Sequence, residues 1–386
     1  MVRIALPGSL LLALAAGVPA ARAGDPAPAQ SGDDLAATTI IYARGGALYK
    51  ADARGKNEVQ LVAIPPNVAV RALRTDAAAA VLLADLGGKW SWMPLDGSAS
   101  ALVELPCADG PAQLATDGRC VLCRDARQPD RSIIVNLASG RFAPVAVPTA
   151  GARLVGSDAD RRLVWADGAI WSAPPRKPSN KTQVAPEAPL RGFLPSPDGS
   201  RAVGVYADVP LAGTPGAKAK PAERLMGFAL DGVGARRKGI RAGVAVEWSH
   251  DNQWVLIQDG GSACIMRAIG GQYKCWRGYT AASIAPDGSY ALVLGEVKQE
   301  PAKKPAGKKE PPKKAAKEPA KPEPAPAEPE DPEHASAASV PVDDVAVPPP
   351  AGPLSLYRAK LDGPYTEAPV LLVKLVDGAA VWIPRK

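Results

Sequence analysis

The chain repeats itself, and the repeat limits what it can fold into more than any other feature. Three segments read almost alike: FLPSPDGSRAVGVYAD at 193–208, VEWSHDNQWVLIQDG at 246–260 and SIAPDGSYALVLGE at 283–296. Each joins a short apolar strand to an alternating apolar strand through a tight turn built on Asp. The Asp side chain takes backbone N–H groups, and Gly accepts the positive φ that a two-residue hairpin needs. Weaker copies surround Asp76, Asp117 and Asp160. The turn aspartates Asp76, Asp117, Asp160, Asp198, Asp251 and Asp287 follow at intervals of 41, 43, 38, 53 and 36 residues. Four of these intervals suit a unit of four strands, and the long one holds an insertion at 209–223. A second hairpin recurs at Leu95-Asp96-Gly97, Leu230-Asp231-Gly232 and Leu361-Asp362-Gly363. A unit of this size cannot bury its faces alone, so it must stack on copies of itself.

Counting strands closes the array. The segment TTIIYAR at 38–44 matches the second strand of a unit, whereas GAAVWIPRK at 378–386 matches a first strand, as in VAVEWSHD. The C-terminal strand is therefore expected to complete the first unit, which removes the open sheet edges. The expected fold class is all-β: a seven-bladed β-propeller over 38–386, closed by the C-terminal strand pairing with the N-terminal blade. The SPDGxxxAV and LYRAKLDG patterns resemble the WD-repeat-like propellers of the periplasmic TolB type, also used as the N-terminal propeller of prolyl-oligopeptidase-type enzymes. The resemblance covers essentially the chain after the signal peptide, with close copies of the pattern only in blades five to seven. No α/β domain like that of TolB precedes the first blade, so TolB's partners do not carry over. The oligopeptidases' hydrolase domain has no counterpart either.

Three segments stand outside the repeat. Residues 1–23 combine an early Arg3, an apolar run from Ile4 to Val18 and the small-x-small site Ala21-Arg22-Ala23, the pattern of a signal peptide. Residues 24–37 are expected to be a flexible lead-in. Residues 297–353 are rich in Pro, Lys, Ala and Glu, too poor in apolar surface to offset chain entropy, and are expected to form a disordered loop inside the last blade. The expected location is the bacterial periplasm or the outside, with no membrane span. Oxidising surroundings suit five cysteines. The run ACIMRAIGGQYKCW places Cys264 and Cys275 opposite each other in a hairpin, so they are expected to pair. Cys107 can pair with Cys123, leaving one thiol over, but the pairing among Cys107, Cys120 and Cys123 stays open at this point.

Chemistry is harder to find. Only His250 and His334 offer imidazole; His334 falls in the low-complexity segment, and His250 takes the turn slot that Pro197 and Pro286 fill in sister repeats. No GxSxG elbow, Walker loop or dinucleotide glycine pattern is present. The turn aspartates recur at the blade period, which says hairpin rather than calcium site, and Cys120-x-x-Cys123 lies in a strand rather than a zinc knuckle. The formal charge is +7, falling to +5 without Arg3 and Arg22, and no basic stripe with interleaved aromatics marks a nucleic-acid site. Trp248 and Trp382, at equivalent positions, read as blade packing.

No catalytic residue, metal ligand or cofactor site is therefore assigned. Connections between second and third strands leave the same face of a propeller. Arg124, Arg127 and Arg131 in one and Lys218 and Lys220 in another make a candidate face for a protein or a cell-wall polymer. The expected function is a non-enzymatic, monomeric binding scaffold of the cell envelope. The alternative is a propeller enzyme, a lactonase or a glycan-active one, with a site at the channel mouth.

Overall fold

The computed structural model describes residues 38–147, 152–156, 160–185, 187, 189–208, 222–230, 237–241, 243–268, 273–286, 288–296, 354–361 and 367–383. The expected signal peptide, the lead-in at 24–37 and the loop at 297–353 lie outside the described residues.

Alternating patterns such as VLLADL and KWSWMP leave one strand face for each neighbouring blade, so sheets stack like the blades of a fan. Seven antiparallel sheets of four strands are formed among the described residues. Six follow chain order, from 70–104 (blade 2) through 113–145, 153–185, 191–241 and 244–277 to 279–376 (blade 7). Blade 1 is composite. Its strands Thr39–Arg44, Ala47–Asp52 and Val59–Ala63 follow the strand Ala380–Ile383, which sits innermost. Ile40 pairs with Trp382 and Tyr42 with Ala380, so the expected closure is present. The described residues contain no α-helix.

The core is a series of apolar layers, one between each pair of neighbouring blades. Ile40, Tyr42, Leu292, Leu294, Leu356 and Trp382 form the layer between blades 7 and 1. Val203, Val205, Trp248, Val255 and Ile257 form that between blades 5 and 6. Trp248 and Trp382 are thus both blade packing, and Trp248 also donates its Nε1–H to the Leu194 carbonyl at 3.0 Å. Outer strands have a neighbour on one side only, which leaves Val59, Val103, Phe142 and Val370 exposed.

The turns between first and second strands differ from expectation in two ways. They are four-residue loops: Ser196 and Arg201 close one through the Ser196 N–H to the Arg201 carbonyl, 2.8 Å. Within each, a left-handed residue donates to the carbonyl three places earlier: Gly118, Gly199, Asn252, Gly288 and, in blade 2, Ala79. This register corrects the role of Asp76. It stands where Ser196 and Ser249 stand, two places before the turn aspartates Asp117, Asp198 and Asp251. Those take the N–H of Arg119, Ser200 and Gln253 respectively. Asp76 instead caps its turn from the first position, taking N–H groups of Ala80 and Val81 at 2.8 Å. Asp287 and the first turn residues of blade 4 lie outside the described residues.

Candidate functional site

The innermost strands line the central channel, and one position on them recurs as a rung. Counted five residues before the left-handed turn residue, it holds Arg74, Gln113, Leu194, Glu247 and Ser283 in blades 2, 3, 5, 6 and 7. In blades 6 and 7 a bulge just before the rung residue, at Ala245/Glu247 and at Ala281/Ser283, re-aims the side chain. Three of the polar rung residues bond the inner strand of the next blade. Gln113 holds Leu154 from both sides, accepting its N–H at 2.6 Å and donating to its carbonyl at 2.9 Å. Glu247 accepts the N–H of Ile284 at 2.8 Å, and Ser283 Oγ accepts that of Trp382 at 3.3 Å. By the same pairing, Arg153 holds the rung of blade 4, where it donates to the Ala152 carbonyl.

Arg74 breaks the pattern. It makes no hydrogen bond or ion pair with any described residue, and its Nε is buried without a partner. Its charge is felt by Glu247 in blade 6 and by Asp85 in its own blade. Burial pushes the Glu247 carboxyl above the usual carboxylate range, opposed by the Ile284 N–H, the Ser283 hydroxyl and the Arg74 charge. The channel thus carries a cation, Arg74, and a carboxyl that burial biases toward its neutral form, Glu247, with no hydrogen bond or ion pair between them.

The two mouths differ. At the mouth formed by the first-to-second-strand turns, neighbouring turns are tied together: Ala77 N–H to the Thr116 carbonyl, Gly156 N–H to the Pro197 carbonyl and His250 N–H to the Pro286 carbonyl. The Thr116 hydroxyl also reaches the Pro197 carbonyl at 3.3 Å, drawing the turns of blades 3 and 5 together and narrowing this mouth. His250 sits here as a turn residue, as its match to Pro197 and Pro286 implies. Burial lowers its pKa, with Asp76 and Asp251 pulling the other way. A cleft of about 230 Å³ between blades 4 and 5 opens beside this mouth, lined by Val155, Asp160, Arg162, Asp198 and Leu230 among others. Asp198 is occupied there by Ser196 and Ser200.

The opposite mouth carries the connections between second and third strands. Arg124 is half-buried at the end of its strand, with an unpartnered buried Nε, while Arg127 and Arg131 are exposed in the connection that follows. Lys218 and Lys220 lie outside the described residues; the strands Arg201–Asp208 and Ala222–Ala229 on either side of them meet this mouth with Asp208 and Ala222 paired. The strands Tyr290–Glu296 and Leu354–Lys360 meet the same mouth, with Glu296 and Leu354 paired. Arg71 and Asp109 form an exposed ion pair at 3.0 Å on this face.

The expected Cys264–Cys275 bridge is present, and the open pairing among the other three cysteines is resolved. Cys264 and Cys275 are directly opposite on neighbouring strands and form a disulfide, their Cα atoms 4.1 Å apart. Cys107 and Cys123 form the other, tying the approach to blade 3 onto its second strand. Cys120 is a buried free thiol whose pKa is raised by burial, with Arg161 Nη1 3.4 Å from its sulfur. Among the described residues, no three of His, Cys, Asp and Glu gather as metal ligands. No helix there is long and apolar enough to cross a membrane.

No family model and no curated protein sequence matches the chain. Similar solved structures include a nidogen/laminin complex, at 14% identity and a TM-score of 0.40, covering 60% of this chain and 89% of that one. Hydrazine synthase of Kuenenia stuttgartiensis gives 12% identity and 0.40, covering 60% and 75%. A eukaryotic initiation factor gives 11% and 0.36, covering 67% and 78%.

Sequence reading missed Arg74 and Glu247. The signal was present in LRTD and VEWSHD. With Asp76 set against Asp251, however, the two residues fall at different positions. They share a rung only once Asp76 is set against Ser249.

Proposed function

We propose that the chain is an exported propeller of the TolB-like, WD-repeat-like kind that serves as a non-enzymatic binding scaffold in the bacterial cell envelope. It engages protein or cell-wall polymer across the mouth that carries Arg124, Arg127 and Arg131. The observation that carries this reading is that the Arg124–Arg131 segment lies on the face of the disc at which Asp208, Ala222, Glu296 and Leu354 end their strands. The two disulfides and a fold commonly used for binding support the location and the class. Crosslinking in intact cells tests it. Wild-type protein should give discrete crosslinked species that Arg124→Ser/Arg127→Ser/Arg131→Ser reduces severalfold at unchanged melting temperature. Identical crosslinking by both proteins refutes the assigned face.

One observation favours the second reading, a propeller enzyme. Glu247 is a carboxyl in the channel whose raised pKa suits a general acid. Turnover of a lactone or glycan panel that Glu247→Gln abolishes would establish that reading.

A further inference from the structure

Beside the turn mouth, blades 4 and 5 part far enough to leave the cleft of about 230 Å³. Strand register fixes its blade 4 wall. Val155 pairs with Arg162 and Val164 with Ser172, and directly paired residues share a sheet face. Val155 and Val164 belong to the apolar layer that meets blade 5, so Arg162 and Ser172 point the same way. Across from them stand the turn Asp198-Gly199-Ser200 and Leu230 of blade 5. The Gly156 N–H donates to the Pro197 carbonyl at 2.9 Å and ties the two blades at the rim. A Cβ at Gly199 would lie 2.7 Å from Val155 Cγ2, so only a glycine lets the turn come this close. The cleft is thus preformed.

Two polar side chains in this cleft bond no described residue. Ser172 is only 6% exposed, yet its hydroxyl has no such partner and opens on the cleft. A buried hydroxyl left unpaired is unfavourable, and Ala at this position would serve packing without that cost. Arg162 is exposed at the rim and forms no hydrogen bond or ion pair with a described residue. It lies two residues from Val164 on one strand, a rise of about 7 Å, and so stands off from Ser172 by about a ring's length. Between the two the lining is apolar: Val155, Val164, Val184 and Leu230. Of the carboxylates on the cleft, Asp198 is engaged by the Ser196 and Ser200 hydroxyls, and Asp160 is exposed to solvent.

We propose that this cleft binds a small aromatic carboxylate whose ring bears a hydroxyl. The ring lies on the apolar lining, the carboxylate sits in the guanidinium fork of Arg162, and the ring hydroxyl meets Ser172. The fork matches a carboxylate bidentately, which an isolated ammonium or alcohol cannot use. Size limits the ligand to one ring. An apolar cavity of about 150 Å³ holds benzene, so 230 Å³ takes one ring with a short arm and falls below the roughly 300–1,000 Å³ of drug-sized pockets. An amine in place of the carboxylate would set a cation against Arg162. The cleft lies at the turn mouth, away from Arg124, Arg127 and Arg131, and stands or falls without the binding face proposed above.

Isothermal titration of the full chain with four probes tests the site: 4-hydroxyphenylacetate, phenylacetate, tyramine and acetate. Saturable binding is expected for 4-hydroxyphenylacetate, severalfold weaker binding for phenylacetate, and at least tenfold weaker binding for tyramine and acetate. Arg162→Gln, at an exposed position, should weaken 4-hydroxyphenylacetate at least tenfold at an unchanged melting temperature. Ser172→Ala should bring that probe down to the level of phenylacetate and leave phenylacetate itself unchanged, a pattern that general damage to the fold would not give. Four results overturn the proposal: 4-hydroxyphenylacetate does not bind, tyramine or acetate binds as tightly, binding survives Arg162→Gln, or the advantage of the ring hydroxyl survives Ser172→Ala.

Discussion

At the scale of single residues, the turns between first and second strands set the tightest limits. Gly288 has φ of +68°, and a Cβ there would lie 2.4 Å from Trp254 Cδ1. Gly199, at φ +72°, would meet Val155 Cγ2 at 2.7 Å. Left-handed backbone costs a residue with a Cβ about 1–2 kcal/mol, and the contact adds to that. Ala79 already bears this strain at φ +52°, and its methyl is buried in a core layer. Gly288→Ala and Gly199→Ala are therefore expected to lower the melting temperature by at least about 5 °C, on a scale where 1 kcal/mol is worth about 2–4 °C in a large domain. Ala79→Gly should change it little, since relief of strain offsets about 0.8 kcal/mol of lost methyl burial. Thermal melts of the three variants check this, and a mild Gly288→Ala would mean the turn yields. His250 gives a pH-dependent expectation. Its folded pKa is depressed, chiefly by burial, so the unfolded chain takes up the proton first as pH falls through about 6.5. Its contribution to stability is present above that value and is lost as pH drops toward the folded pKa. Glu247 has the opposite sign, because its folded pKa is raised. The measurement is thus the difference between wild type and His250→Asn in melting temperature at pH 7.5 and at pH 5.5. The variant should lose less on acidification; an equal loss means the imidazole does not titrate with folding.

At the scale of elements, the two hairpin types and the strand period were legible in the sequence. Apolar alternation and Asp-Gly pairs are local chemistry, read from neighbours in the chain. The Cys264–Cys275 pairing was legible for the same reason, because a hairpin makes sequence distance stand for spatial distance. The rung was not. Whether Asp76 matches Asp251 or Ser249 depends on which residue turns left-handed, and Ala79 gives no composition signal where sister turns use Gly or Asn. A slip of two residues keeps every side chain on its own sheet face, so the alternation pattern cannot expose it. Nor can sequence show that Gln113 is spent on Leu154 while Arg74 is not, since that depends on the neighbouring blade. The disulfide carries a prediction of its own. It closes a loop over a sequence separation of 11, for which chain entropy gives about 2–3 kcal/mol. Cys264→Ala/Cys275→Ala should lower the denaturation midpoint accordingly while leaving the Cys107–Cys123 bridge intact. Non-reducing peptide maps that show Cys264 and Cys275 free in the wild type would refute it.

At the scale of the whole molecule, one short strand holds the ring shut. Ala380–Ile383 pairs with the strand Thr39–Arg44 of its own blade and packs against the inner strands of blades 2 and 7. The Thr75 hydroxyl of blade 2 bonds the Trp382 carbonyl at 3.1 Å, and the Trp382 N–H bonds Ser283 of blade 7. Its side chain, 2% exposed, sits in the apolar layer between blades 7 and 1, tilted against Tyr290. Chain ends usually fray and tolerate loss. Here the loss would strip the inner strand from one blade, bare two neighbouring inner strands and uncover an apolar layer at once. Trp382→Ala alone should cost about 3–5 kcal/mol, a large share of the roughly 5–15 kcal/mol that holds a typical domain folded. Ending the chain after Asp377 should therefore yield insoluble or protease-sensitive protein, and Trp382→Ala a soluble protein with a clearly lowered melt. Limited proteolysis and thermal melts of both would decide it. A truncated chain that folds cooperatively and melts within a few degrees of the full one would show that the ring holds without its closing strand.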